Sequence, residues 1–312
     1  MENLKIVFMG TPDFSVPVLE GLIENYNVVG IVSQPDKKVG RKQVLTATPV
    51  KVIAEKHNIK VLQPTRIRSE YQEILDLNPD IIITCAYGQI IPKEILDYPQ
   101  YGCINVHASL LPKLRGGAPI HKAIIEGYDK TGITIMYMDV KMDNGDIITS
   151  RETEILDTDC LNTLSERLSV IGKELLLDTL PSIIKGENNR IKQNEDEVTY
   201  AYNIIREEEQ IDFNKTSREI YNQIRGLSPR PGAFAILDDK QIKIYSSEIS
   251  DKVYPDKNNG TVTKFYNNGI GVSTKDGEII ITSLQLPGKK CVQASEYLNG
   301  AKEEDWIGKI FK

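Results

Sequence analysis

The chain has no apolar run approaching the ~20 residues that a helix needs to cross a bilayer, so no membrane-spanning segment is expected. Cysteine is scarce. Cys85, Cys103, Cys160 and Cys291 are scattered, no Cys/His spacing suggests zinc, and no disulfide framework is expected. Cys85 and Cys103 fall in apolar strand-like runs and read as buried free thiols in a reducing cytoplasm. The spaced glycines of a dinucleotide fingerprint are missing. Gly10-Thr11-Pro12 reads instead as a strand-to-helix turn, with Pro12 near the helix start, so neither NAD nor FAD is expected. No Gly-x-Ser-x-Gly surrounds Ser109, which removes a serine hydrolase. Positive charge is not in excess: Lys+Arg number 38 against 44 Asp+Glu, a formal net charge of -6. Any nucleic-acid partner must then be met by local charge. No internal repeat or low-complexity tract is evident. The start, Glu2-Asn3-Leu4-Lys5, leads directly into a strand pattern and does not read as a signal peptide.

What is present suits an ordinary globular protein, with 40% hydrophobic and 26% charged residues in 312. That length predicts roughly two domains at about 150 residues each. In the first half, apolar strand-like runs alternate with helical patterns. Strands are expected at Lys5–Phe8, Val28–Val32, Lys60–Gln63, Ile81–Cys85, Gly102–Val106 and Gly132–Met138. Helices are expected at Val16–Glu24, Val50–His57, Ser69–Leu77, Lys93–Leu96, Ile120–Glu126 and Leu161–Ile184. Continuous apolar strands interleaved with helices predict an α/β domain, a doubly wound Rossmann-like parallel sheet covered on both faces. Ligands of such sheets bind at the carboxyl ends of the strands. Thr11, Gln34, Ala86-Tyr87-Gly88 and His107 all fall there. Gly186 to Val198 is polar and acidic and reads as a linker. Beyond Thr199, short runs separated by Asn-Gly and Asp-Gly turns predict a small β-barrel.

Asn105-Val106-His107 is the most informative stretch. Residues at i and i+2 of a strand share a face, so both side chains project together from an apolar strand that Ser109-Leu110-Leu111-Pro112 ends. An amide donor, an imidazole and a carboxylate can polarise a carbonyl, move a proton and tune the imidazole, which is equipment for acyl transfer to an amine. Asp143, in Asp143-Asn144-Gly145-Asp146, is the candidate carboxylate; a turn aspartate bonding its own backbone is the competing reading, and Asp146 keeps it. Gln34 to Lys51 carries Lys37, Lys38, Arg41, Lys42 and Lys51 against Asp36 and reads as an exposed, mobile basic loop. His57 and His121 sit in helical patterns and read as surface or structural residues.

Asn105 to Asp146 resembles the folate-dependent formyltransferases. The ordered elements are Asn105-x-His107, Ser109 to Pro112, Gly116 to Pro119, Thr131-Gly132-Ile133-Thr134 and Asp143 in its turn. Met9 to Phe14, Gln34-Pro35-Asp36, Glu197 to Ala201 and Ile224 to Ala233 extend the resemblance along the chain, toward the branch that acts on methionyl-tRNA. One departure stands at Arg230, where the family usually has Trp.

The resemblance implies a formyltransferase catalytic domain over 1–187, a linker over 188–204 and an OB-like barrel domain over 205–312 that contacts tRNA. It implies 10-formyltetrahydrofolate as donor and the amine of initiator methionyl-tRNA as acceptor, with no metal. Asn105, His107 and Asp143 would be catalytic. Asp143 is expected to favour the charged form of His107. Ser109, Leu110, Leu111, Pro112, Tyr87 and Gly88 would line the folate pocket. Lys37, Lys38, Arg41 and Lys42 would meet tRNA, with Arg41 at the family's key arginine position. A cytoplasmic monomer is expected. The alternatives are an amino-sugar-nucleotide N-formyltransferase, a glycinamide ribonucleotide formyltransferase and a non-catalytic tRNA- or folate-binding protein. The basic loop and the second domain favour tRNA over the first two, and the intact trio favours catalysis over the third.

Overall fold

A computed structural model describes residues 4–40 and 42–312. The chain divides into two compact units. The first comprises Met1–Pro119, Lys130–Glu154 and Ser165–Tyr202, and the second comprises Ile120–Asp129, Ile155–Leu164 and Asn203–Lys312.

The first unit is built on a seven-stranded sheet in the order β5-β2-β1-β6-β7-β8-β9. The strands are β1 (Lys5–Gly10), β2 (Asn27–Val32), β5 (Val61–Leu62), β6 (Ile81–Cys85), β7 (Cys103–His107), β8 (Lys130–Tyr137) and β9 (Ile147–Glu154). From β5 to β7 all neighbours are parallel, as expected from the apolar runs. β8 and β9 then add antiparallel. β9 was not expected because its sequence is largely polar: one face is half-buried and the other is exposed beyond Ile148, as on an edge strand. Ile81, Ile82 and Ile83 of β6 are fully buried, and each such side chain contributes about 2 kcal/mol over exposure.

Two helices pack closely on one another and on the sheet. Helix α1 (Val16–Asn25) buries Val18, Leu19 and Leu22. Helix α6 (Leu161–Lys185) crosses it at Gly21, where an added Cβ would lie 2.9 Å from Lys173 Cγ. A Cβ on Gly172 of α6 would lie 3.0 Å from Val106 Cγ1 of β7. The opposite face of β7 carries Cys103, which packs with Val7, Ile82 and Ile95, the last from α4 (Lys93–Leu96). Of residues 188–204, expected as a linker, 188–202 lie in the first unit. Ile191 exchanges backbone bonds of 2.8 and 2.9 Å with Ile147. The segment's exposed side chains make it polar, while its backbone pairs.

In the second unit, β10 (Ala233–Leu237), β11 (Lys240–Ser250), β14 (Glu278–Gln285), β13 (Gly269–Ser273) and β12 (Val262–Tyr266) follow one another antiparallel. The C-terminal residues close the ring. Val262 N–H donates to Lys309 O at 2.8 Å on the β12 side, and Ile236 of β10 exchanges two 2.8 Å bonds with Lys312. Helix α8 (Ser217–Leu227) places Ile220, Ile224 and Leu227 in the same core as Ile244 and Ile281.

Candidate active site

β7 carries two of the three proposed catalytic side chains. Val106 faces α6, so Asn105 and His107 share the opposite face, as the strand period requires. Asn105 is held by its register partner Thr84 on β6, whose hydroxyl donates to Asn105 Oδ1 at 2.8 Å. With that oxygen engaged, the Nδ2 amide hydrogens remain as donors. His107 is only 5% exposed. Its Nε2 lies 3.1 Å from the carbonyl of Leu114. A carbonyl only accepts, so Nε2 carries the proton in this contact. Nδ1 faces Asp143 Oδ1 at 3.7 Å. The second carboxylate oxygen, Oδ2, accepts a 2.8 Å bond from Gly116 N–H. Asp143 has φ +49°, a left-handed conformation that costs about 1 kcal/mol for a residue with a Cβ.

The loop after β7 is fixed from two sides. Thr134 of β8 donates to Ser109 O at 2.7 Å and accepts from Leu111 N–H at 3.1 Å. Ser109 Oγ donates to Lys113 O at 2.6 Å. Ser109 and Leu111 are buried, while Leu110 and Pro112 are half-buried. On the other side, residues 199–201 run beside the loop. Thr199 Oγ1 accepts from Leu114 N–H at 2.9 Å, Thr199 O accepts from Arg115 N–H, and Ala201 O accepts from Ala118 N–H. A Cβ on Gly116 would lie 2.5 Å from Ala201 O, so this approach needs glycine. Thr134 and Thr199 were visible only as motif members without a role. Thr134 fixes the loop at Ser109 and Leu111, and Thr199 fixes it at Leu114 and Arg115, beside the Leu114 O and Gly116 N that bond His107 and Asp143.

Arg115 is 2% exposed, yet charged. Its Nη2 bonds Glu195 Oε1 at 3.0 Å and its Nε bonds Gln193 Oε1 at 3.0 Å. Gln193 in turn donates to the carbonyls of Asp143 at 2.8 Å and Gly145 at 2.9 Å. Sequence reasoning missed Gln193, because a glutamine in a polar stretch carries no distinguishing signal.

The other expected pocket residues meet at the strand ends. Tyr87 O accepts from Thr11 Oγ1 at 3.0 Å and from Gln34 Nε2 at 3.1 Å. Gly88 has φ +91°. The Tyr87 ring points into the hydrophobic core instead, burial pushes its phenol pKa up, and its hydroxyl has no partner. Ile91 is also core, while Ile90 is 67% exposed.

The basic segment is a hairpin of β3 (Lys37–Val39) and β4 (Val44–Thr46), where an irregular loop was expected. Three-residue strands are too short to show alternation in sequence, and Gly40 at φ +70° serves the turn. Lys37, Lys38 and Lys42 are exposed, as are Val39, Val44 and Leu45. Arg41 lies outside the described residues. Lys51 is not free: it pairs with Asp36 at 2.7 Å, and bonds from Gln63 and Lys51 lower the Asp36 carboxyl pKa.

Comparison with known proteins gives the family. The Formyl transferase model matches residues 4–180, and the Formyl transferase C-terminal domain model matches residues 203–302. The chain is 55% identical over 305 residues to the methionyl-tRNA formyltransferase of Bacillus thuringiensis subsp. konkukian, covering 96% of this chain and 97% of that protein. The same protein of Bacillus anthracis is also 55% identical, with the same coverage. The chain belongs to the methionyl-tRNA formyltransferase family. The resemblance read along the sequence is thereby borne out.

Solved structures share the fold at lower identity. A methionyl-tRNA formyltransferase from Clostridium thermocellum aligns with TM-score 0.57 at 20% identity, over 89% of this chain and 99% of that one. WlaRD, a sugar 3N-formyl transferase, aligns with TM-score 0.66 at 22% identity, over 93% of this chain and 100% of that one. HypX from Aquifex aeolicus, solved with tetrahydrofolic acid, aligns with TM-score 0.66 at 15% identity, over 97% of this chain but 49% of that longer one.

Within the family frame, Arg230 replaces the usual Trp at an exposed position, where a guanidinium stays in water. Cys85 and Cys103 are buried free thiols, and burial pushes Cys85 up to about 12. Cys291 is exposed. Among the described residues, no helix is long and apolar enough to cross a membrane.

Proposed function

We propose that this chain transfers the formyl group of 10-formyltetrahydrofolate to the free amine of initiator methionyl-tRNA, giving N-formylmethionyl-tRNA for translation initiation. The observation that carries the reading is 55% identity over 97% of a methionyl-tRNA formyltransferase, and that identity favours tRNA over an amino-sugar acceptor. The pairing of His107 with Asp143 at 3.7 Å supports catalysis over mere binding.

The bound donor would supply an activated formyl carbon. Asn105 Nδ2, oriented by Thr84, donates to the formyl oxygen as the amine attacks. A donor aimed at developing charge contributes about 3 kcal/mol. His107 is held through Nε2 by Leu114 O, so Nδ1 is its working atom, shared with Asp143. This pair receives the proton that leaves the amine and returns one to the departing nitrogen. The half-buried Leu110 and Pro112, on a turn already fixed by Thr134, suit the flat apolar side of a pteridine, with Gly88 and the Tyr87 backbone across the strand ends.

In this reading, residues 1–187 bind the donor and carry the chemistry, 188–204 run on to the second unit while Gln193 and residues 199–201 brace the site, and 205–312 contact tRNA. Lys37, Lys38, Arg41 and Lys42 meet the acceptor's phosphates. The chain works as a cytoplasmic monomer, needs neither metal nor NAD, and has no membrane partner. The deciding experiment offers charged initiator tRNA and an amino-sugar nucleotide side by side with the formylated folate. Formylation of the tRNA is expected; efficient formylation of the nucleotide alone overturns the reading.

A further inference from the structure

We infer that Gln193 is a positioning residue for the Asp143 carboxylate, an inference that rests on the catalytic reading of Asp143 and His107. Its amide has three partners of unambiguous polarity. Nε2 donates to Asp143 O at 2.8 Å and Gly145 O at 2.9 Å, and Oε1 accepts from Arg115 Nε at 3.0 Å. Carbonyls only accept and a guanidinium only donates, so the amide has one orientation here. A carboxylate at the same place would satisfy Arg115 but repel both carbonyls.

The clamp acts where the backbone needs it. Asp143 sits at φ +49°, a conformation that persists when neighbours over-determine it. Two of those neighbours reach it from outside its own turn: Gln193 holds its carbonyl, and Gly116 N–H holds Oδ2. Gly145 is packed so tightly that an added Cβ would lie 1.9 Å from Tyr137 O, which pins the other end of the turn. Arg115 ties both anchors together, since it bonds Gln193 and precedes Gly116 in the loop that also presents Leu114 O to His107. Gln193 thus makes the aim of Asp143 at His107 depend on the 199–201 pairing that fixes the loop.

The test compares Gln193→Glu, Gln193→Met and Asp143→Asn with the parent in steady-state formylation of charged tRNA, with melting temperatures measured on the same samples. Gln193→Met keeps the length and loses all three bonds; Gln193→Glu keeps the Arg115 contact and loses both carbonyl bonds. Both are expected to lower kcat by about 10- to 100-fold, because misplacement of a reacting group by ~1 Å has that effect. KM for donor and acceptor should stay within about twofold, because binding does not use this clamp. Parent-like kcat in Gln193→Glu would assign Gln193 to accepting the Arg115 hydrogen bond alone and overturn the inference. A loss confined to KM, or a lower melting temperature with kcat retained, would overturn it too. Parent-like kcat in Asp143→Asn would instead sink the catalytic reading itself, which keeps the two failures apart.

Discussion

His107 Nδ1 faces Asp143 Oδ1 at 3.7 Å, while Asp143 Oδ2 accepts a 2.8 Å bond from Gly116 N–H. One carboxylate therefore links the imidazole to the loop that holds the imidazole's other nitrogen. Asn105→Ala, His107→Gln and Asp143→Ala are each expected to lower single-turnover formylation by about 100-fold or more, in line with loss of a donor or a proton carrier. Asn105 and Asp143 are half-buried and their variants should stay folded. His107 is buried, so glutamine is the safer replacement. Near-parent rates for His107→Gln would remove it from the chemistry.

Gly132 lies where β8 passes the Ser109–Pro112 turn. An added Cβ would sit 2.3 Å from Arg151 O and 2.6 Å from Leu110 Cδ2. Gly132→Ala must therefore push the β9 backbone, Leu110, or both. Overpacking of this kind costs about 1–3 kcal/mol. A displaced Leu110 should also raise KM for the formylated folate several-fold while KM for tRNA holds. Equal donor KM in Gly132→Ala and the parent would show that Leu110 does not line the donor pocket.

The parallel half of the first sheet was legible because each buried strand is a continuous apolar run, as in Ile81–Cys85. Asn105 and His107 were legible as a pair because a strand's period puts i and i+2 on one face. What holds them was not. Leu114 O and Gly116 N are backbone atoms, which no side-chain pattern reports. Gln193 acts from a stretch whose composition says only that it is exposed. β9 escaped because one of its faces meets water with Ser150, Glu152 and Glu154 and the other is only half-buried, so neither face carries a continuous apolar signal. The ring closure of the second unit depends on backbone bonds from Gly308 to Lys312, residues with no strand-like alternation.

Lys37, Lys38 and Lys42 stand exposed on and beside the β3–β4 hairpin, in a chain whose net charge is -6. Phosphate contacts release counterions, so tRNA affinity should fall steeply with salt. Lys37→Ala with Lys38→Ala should weaken tRNA binding across the salt series and reduce the log–log slope by about 1–2, since each lost contact removes roughly 0.9. Arg41→Ala, argued from the sequence pattern alone, should act in the same direction. Folate binding should not change in any of them. An unaltered salt slope in the double lysine variant would mean that the hairpin does not touch phosphate.

His121, in the second unit, is buried enough that desolvation lowers its pKa from the ordinary 6.5; a backbone bond at Arg230 opposes this and the charge of Lys122 adds to it. The sign follows from proton counting. Below 6.5 the unfolded chain binds a proton that the folded chain resists, so the unfolded state holds more protons there and folding stability rises with pH. The contribution of neutral His121 is complete above 6.5 and is lost as pH falls through the lower folded value. Melting temperatures of the parent and His121→Gln, compared at about pH 7.5 and about pH 5.5, isolate the effect, because carboxylates and His107 are common to both. The parent should lose more stability over that interval than the variant. Parallel pH dependences would mean that His121 charges freely in the folded barrel unit and that its burial has no cost.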